Sequence, residues 1–277
     1  MSQAVAGRRL GILIHARSGR HAIRGYFIGT LAKVWAADGI VVRPVSPERR
    51  LPHLDLLFNH VDVSCLDDVY RKIIGMAPRV VNGGILDIRK SVVSNHLIER
   101  GSAWTGPVIV KTDLNFGGYP ERALFGDGPD NLSPNGFVKP LDYQVFDSWQ
   151  EVPREFFDDP LLVVEKFLPE RTPDGRYRLR SYNFLGDAED CFLITSTQPI
   201  VNSHSIESIE PVEVHEAVRA TRLARGFDYG KFDYVVHEGE PVIFDTNKTP
   251  GFFDDDSPEF RAMLLRRARA LYPFFER

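Results

Sequence analysis

KFDYVVHEGEPVIFDTNKTPGF, residues 231–252, decides how this chain is read. KFDYVV alternates between polar and apolar residues, and so does PVIFDTN, as strands with one buried face do. With HEGE at a turn centred on Gly239, Asp233 stands opposite Asp245 and Lys231 lies near Asn247. Two like charges directly opposite each other are unfavourable unless something compensates. A divalent cation does so: two carboxylates and an amide oxygen, completed by phosphate oxygens, suit Mg²⁺. Spacing alone is equally compatible with a solvated polar row, because D-x-N is a common pattern. The Thr249-Pro250-Gly251 exit, which takes the chain away from the sheet, weighs towards a site.

The rest of the chain sets the frame for that hairpin. Its 277 residues give room for a sizeable core and about two domains. The formal charge of −4 offers no basic excess, so nucleic acid is not the expected partner. Cys65 and Cys191 make neither a disulfide framework nor a paired metal motif, which points to a reducing compartment. The apolar run after the N-terminal arginines is too short for a signal core, and no later run spans a membrane. A soluble, cytoplasmic protein without a membrane partner is expected.

Strand and helix patterns alternate over about residues 8–85. Leu10–Ile14, IVVRPV and LDLLFNHVD read as strands. Helices are expected from about Ala22 to Ala37 and in DDVYRKIIGMAP, the latter stopped by Pro78. This is the pattern of a small parallel α/β domain, and the absence of GxGxxG argues against a dinucleotide fingerprint. A helical pattern covers Ile88 to Arg100. Residues 120–137, rich in Gly, Pro, Asn and Asp, read as an irregular insertion. YQVFDSW, LLVVEKFLP, RYRLRSYNFL and CFLITSTQP read as strands of a more antiparallel region. EVHEAVRATRLARGF and about Pro258–Leu271 read as helices, the last one capped at Asp256 or Ser257.

Three upstream segments carry candidate phosphate and base contacts. VIVK ends an apolar strand at Lys111, where an ammonium can act on phosphates as a point charge. Gly117 and Gly118 follow and tolerate the positive φ of a loop whose amides face phosphate. A surface lysine before a hairpin turn fits the same letters. In EKFLPE, Glu165, Lys166, Phe167 and Leu168 end a buried strand of the kind that lines adenine with backbone groups. There Glu165 would accept from the adenine amine, with Glu170 or Asp174 near ribose; a strand edge with solvated ends is the alternative. Arg180, or Arg178 on the same strand face, is a candidate to face the carboxylates and neutralise a phosphate or oxyanion. His15, Arg17, Arg20 and His21, in the exit loop of the first strand, are candidates for a substrate carboxylate.

In this order the segments resemble the ATP-grasp superfamily, particularly its carboxylate–amine and carboxylate–thiol ligases. The resemblance runs over about residues 85–255 and is strongest at D233-x₁₁-D245-T-N247-K-T-P-G. It implies an α/β fold: an N-terminal pre-ATP-grasp domain (1–85), then an ATP-grasp region (86–277) of two α+β subdomains with ATP between them. It implies that Asp233, Asp245 and Asn247 hold one or two Mg²⁺ ions. Lys90, Lys111 and Lys166 would contact ATP, while Arg180 and Lys231 stabilise acyl-phosphate oxygens. The implied reaction joins a small-molecule carboxylate to an amine and releases ADP and phosphate, in a protein often dimeric. Phosphotransfer, or nucleotide binding with lost catalysis, is the alternative. Two departures stand out: Asp245 where glutamate is frequent, and Lys231 where arginine is frequent.

Overall fold

Alternation along the first strands sorts side chains onto two faces of a parallel sheet. The computed structural model describes residues 5–19, 23–48, 50–126, 143–251 and 255–276. Arg9–Leu13 (β1) runs between Val41–Val45 (β2) and Leu56–Asn59 (β3), with Val80–Val81 (β4) beyond, in the order β2-β1-β3-β4. Leu10, Ile12, Leu56 and Phe58 share one core with helix Phe27–Ala37 (α1), while Leu13 and Leu57 share another with helix Asp68–Met76 (α2). That division is the period of two expected of strands buried on both faces. Ala77 turns extended ahead of Pro78, which ends α2 as expected. At the start of α1, Ala22 lies outside the described residues. Ile23–Gly25 is a turn and Tyr26 bridges to Gly251, so the helix begins only at Phe27, with Gly29 allowing the close approach of the Ile23 carbonyl.

A three-stranded antiparallel sheet follows in the order β6-β5-β7, made of Gln144–Phe146 (β6), Val108–Thr112 (β5) and Leu162–Lys166 (β7). Val108, Val110, Leu162 and Val164 form its core with Ile98, Val152 and Phe156. The helix expected over Ile88 to Arg100 is only Lys90–Val93 (α3). Valines followed by Ser94-Asn95 propagate a helix poorly. His96–Ile98 instead finds sheet bonds: Lys166 N donates to His96 O (2.9 Å) and Ile98 N to Val164 O (2.8 Å). The segment read as irregular opens with a helix, Tyr119–Phe125 (α4), and residues 127–137 lie outside the described ones; the short helix Arg154–Phe157 (α5) follows β6.

The largest sheet has the order β11-β10-β9-β12-β13: Ile206–Val212 (β11), Ala188–Ser196 (β10), Tyr177–Leu185 (β9), Tyr229–His237 (β12) and Glu240–Asn247 (β13). Glu170–Arg171 (β8) adds to β9, and β11 is an edge strand that the sequence patterns did not bring out. Tyr182, Phe184, Phe232 and Tyr234 pack beneath this sheet with Val214 and Val218, the latter on helix Glu216–Ala224 (α6). The C-terminal helix Pro258–Arg269 (α7), capped by Ser257 Oγ accepting from Phe260 N (3.1 Å), returns to the first sheet. Ala268, Leu271, Phe274 and Phe275 complete the core that holds α1, so the first 85 residues and the chain's end share one interior.

Asn82 joins the parallel sheet to β12. It is fully buried at φ 58°, in the left-handed region where asparagine is among the tolerated residues. Its Nδ2 donates to Tyr229 O (2.7 Å), its Oδ1 accepts from Asp228 N and Tyr229 N, and its own amide donates to Asp228 Oδ2 (2.8 Å). The start of the strand that carries Lys231 and Asp233 is thus tied to the first sheet by four hydrogen bonds from one residue.

Candidate active site

The hairpin of β12 and β13 pairs Asp233 with Asp245 and Lys231 with Asn247, the register expected from the sequence. It is reached by a different turn. Glu238 and Gly239, at φ 53° and 88°, form a two-residue connection between the paired His237 and Glu240. From that turn alone Asp233 would oppose Phe244. A one-residue bulge at Phe244 moves Asp245 into place. Gly230, just before Lys231, allows a close approach on the same edge: a Cβ there would lie 2.5 Å from Asn247 O.

Charge is concentrated here. Lys231 Nζ donates to Asp233 Oδ2 at 2.6 Å, while Asp233 Oδ1 is buried with no hydrogen-bond partner among the described residues. Burial pushes the Asp245 carboxyl above the usual carboxylate range; Asp233 adds to this, and Lys90, Lys231 and Lys111 oppose it. Burial works against the Lys231 ammonium too, yet Asp233 and Asp245 outweigh it and raise its pKa. Asn247 Oδ1 accepts from Thr249 N (2.8 Å), which fixes the side chain as the chain leaves for Pro250. A half-satisfied carboxylate facing a second one, with an oriented amide beside them, fits a hard cation that takes its other ligands from phosphate. Among the described residues no three His, Cys, Asp or Glu side chains group as an all-protein metal cage.

The small sheet supplies the facing wall. Lys111 pairs with Glu165 across β5 and β7 at 2.8 Å, both side chains almost wholly buried. Burial pushes the Glu165 carboxyl up, but Lys111 more than offsets this and holds it below the usual range. Lys111 Nζ also lies 5.2 Å from the centre of the Phe244 ring, so the bulge residue bridges the two sheets. Lys90, buried, donates from Nζ to Leu114 O (2.8 Å); its pKa is lowered chiefly by burial, with Asp245 pulling it back up. Lys166 Nζ stands 4.8 Å from the Trp104 ring, and Phe167 N is taken by Pro107 O (2.9 Å). Phe167 and Leu168 are half-buried at the end of β7. Phe116, Gly117 and Gly118 are three consecutive left-handed residues, with φ 47°, 65° and 73°, which turn the chain sharply into α4.

Two expectations are corrected. Arg180 pairs with Tyr234 across β9 and β12, so it shares the face of Tyr182 and Phe184 beneath the sheet, opposite to Asp233. Arg178 shares that face. The alternation Arg180-Tyr182-Phe184 was the sequence signal for this placement. Glu170 does not reach towards a ribose: its carboxylate takes both arms of Arg180 and the Val236 amide (2.7 Å). Asp174 is tied instead to Thr172 and Arg176 on an exposed turn. Glu165 meets Lys111 through Oε2, and its Oε1 is buried with no hydrogen-bond partner among the described residues.

A second polar cluster escaped the sequence reading because it joins four distant segments. Asp62, after β3, accepts from Tyr26 Oη and from Thr249 Oγ1. Lys248 is fully buried, its Nζ without a hydrogen bond among the described residues, and burial pushes its pKa down to about 8. Glu121 and His60 lie in the same region; burial raises the first and drives the second down to about 3. A cavity of about 250 Å³ opens beside them, lined by Ile14, Arg17, Tyr26, His60 and Asp62 with residues of α4. Among the described residues, Arg17 is the one member of the first exit loop's candidate set on this cavity. His15 is buried against Tyr70 and Phe125, and Arg20 and His21 lie outside the described residues.

No protein-family model matches the chain, and no curated protein matches it by sequence. Solved structures do. A D-alanine–D-alanine ligase from Bacillus anthracis is 10% identical over 96% of this chain and 98% of its own, with a TM-score of 0.52. The macrocyclase MdnC of Microcystis aeruginosa MRC, solved with the precursor peptide MdnA, is 13% identical over 95% and 99%, with a TM-score of 0.52. A RiPP-associated ATP-grasp ligase of Chryseobacterium gregarium, solved with ADP and a leader and core peptide, is 12% identical over 95% and 96%, with a TM-score of 0.54. At such identities the likeness is one of chain path along nearly the whole length of both partners, and by that measure this protein has the fold of the ATP-grasp ligases.

Proposed function

We propose that the protein is an ATP-dependent carboxylate–amine ligase working through an acyl phosphate. The observation that carries this reading is the convergence of two opposed carboxylates, Asp233 and Asp245, with Lys90, Lys111 and Lys231 close enough to act on Asp245. A row of solvated side chains does not require burial that raises a carboxyl pKa, nor an oriented asparagine beside it. Asp233, Asp245 and Asn247 would hold Mg²⁺, which supplies charge neutralisation at phosphate oxygens when bound. The parallel sheet with α1 and α2 would serve as the pre-ATP-grasp domain.

The chain's own part is electrostatic positioning. Lys111 and Lys90 place positive charge along one wall of the cleft, held there by Glu165 and by Leu114 O. Lys231, whose pKa the two carboxylates raise against burial, would stabilise charge developing on a carbonyl oxygen. The Gly117-Gly118 turn would cover the phosphates and exclude water. A substrate carboxylate oxygen attacks the γ-phosphorus and ADP departs. An amine then attacks the activated carbonyl, phosphate leaves and the amine gives up a proton. No protein nucleophile is needed.

ADP release, screened across pairs of small acids and amines, tests the reading. Release that needs both partners, and falls about a hundredfold in Asp245→Ala, is expected. A stable phosphorylated product formed from a single acceptor would identify a phosphotransferase, and full activity in Asp245→Ala would remove the metal site.

A further inference from the structure

The cavity beside Asp62 is lined by two side chains of opposite charge, Asp62 and Arg17. Asp62 is the carboxylate among the lining residues; it accepts from Tyr26 Oη and Thr249 Oγ1, and burial raises its pKa while those two hydrogen bonds and the nearby Lys248 charge act the other way. Arg17 stands exposed at the mouth, anchored by donation to Leu124 O (3.3 Å) and by the Phe125 ring 5.1 Å from its guanidinium carbon. Ile14, Ala123 and Leu124 add apolar lining. His60, 2% exposed, lines the same cavity, and neither ring nitrogen has a hydrogen-bond partner among the described residues. A buried polar group of that kind is costly unless a ligand or water meets it. At about 250 Å³ the space suits a small molecule of a few heavy atoms rather than a drug-sized one.

Thr249 joins this cavity to the hairpin. Its hydroxyl donates to Asp62, and its amide donates to Asn247 Oδ1 (2.8 Å). A ligand held at Asp62 is therefore one residue's contacts away from the side chain assigned to the metal. A free carboxylate beside Asp62 would meet like charge, whereas an ammonium is attracted there. The same ligand's carboxylate is matched by Arg17.

We propose that this cavity binds the amine substrate as a small zwitterion of the amino-acid type, its ammonium at Asp62 and its carboxylate at Arg17. The assignment of amine substrate rests on the ligase reading, while the charge pattern of the site does not.

Ligand-observed NMR titrations of the full-length protein test this with glycine, L-alanine, D-alanine and β-alanine, and with the one-charge analogues ethylamine and propionate. At least one zwitterion is expected to bind with a millimolar or tighter Kd, at least tenfold tighter than either analogue. Arg17→Ala, at an exposed position, is expected to weaken that binding at least tenfold, and Asp62→Asn to do the same. Absence of zwitterion binding, equal binding of an analogue, or wild-type affinity in Arg17→Ala overturns the proposal. Mg·ADP binding, measured on the same samples, separates the two readings. Its failure in the wild type removes the ligase, and loss of the zwitterion with Mg·ADP intact removes only this site.

Discussion

Asp245 is held in a place that does not favour its charge. Burial and the facing Asp233 raise its pKa, and three lysines do not fully compensate. Asp245→Asn removes one of two like charges directly opposed, so without Mg²⁺ the folded state is expected to gain up to ~1 kcal/mol. ADP release is expected to fall roughly a hundredfold in the same variant. Chemical denaturation beside the activity assay checks both. A large loss of stability would mean that the carboxylate serves the lysines and not a cation. His60 gives a pH signature at the same scale. Burial, with the nearby Lys248 charge, holds it neutral with a pKa of about 3, whereas an unfolded histidine titrates near about 6.5. Between those values the unfolded chain binds a proton that the folded one refuses. Its contribution is therefore complete above pH ~6.5 and is lost as pH falls towards ~3, at about 1.4 kcal/mol per pH unit. His60→Phe should flatten that slope in urea titrations from pH 4 to 8, and parallel slopes would contradict it.

At the scale of elements, the positions of Lys231 and Asp233 depend on where β12 begins, and Asn82 sets that. Asn82→Ala leaves the Asp228 and Tyr229 amides and the Tyr229 carbonyl without their side-chain partner in a buried place. A loss of about 2–4 kcal/mol is expected, from one to three kcal/mol for each unsatisfied group with partial relaxation. Equilibrium unfolding measures it, and a change under about 0.5 kcal/mol would show that the clamp is dispensable. The hairpin explains why sequence succeeded there and failed nearby. Alternating polarity in KFDYVV and PVIFDTN was enough to pair Asp233 with Asp245. The Glu238-Gly239 turn and the Phe244 bulge cancel each other in register, so neither left a trace in the pattern. Arg180 was misplaced although its alternation with Tyr182 and Phe184 was visible, because which face carries the site depends on the neighbouring strand. The helix expected over Ile88 to Arg100 failed for a tertiary reason: His96–Ile98 bonds to β7.

Across the whole molecule, most strands, though not the edge strand β11, and the longer helices were legible because each has a local period, and the order of VIVK, the glycine pair, EKFLPE and the carboxylate hairpin pointed to one fold. The Asn82 joint and the cluster of Tyr26, His60, Asp62 and Lys248 were not legible. Their partners lie far apart in sequence, and nothing in a local window marks a lysine as buried. The central claim is that the cleft between the small sheet and the β12–β13 hairpin holds Mg²⁺ and a nucleotide together. Calorimetric titration of the full-length protein with ADP, with and without Mg²⁺, tests it most directly. The account predicts binding that weakens at least tenfold when Mg²⁺ is removed, and equally in a folded Asp233→Asn/Asp245→Asn variant. ADP affinity indifferent to both changes, or no ADP binding at all, would contradict it.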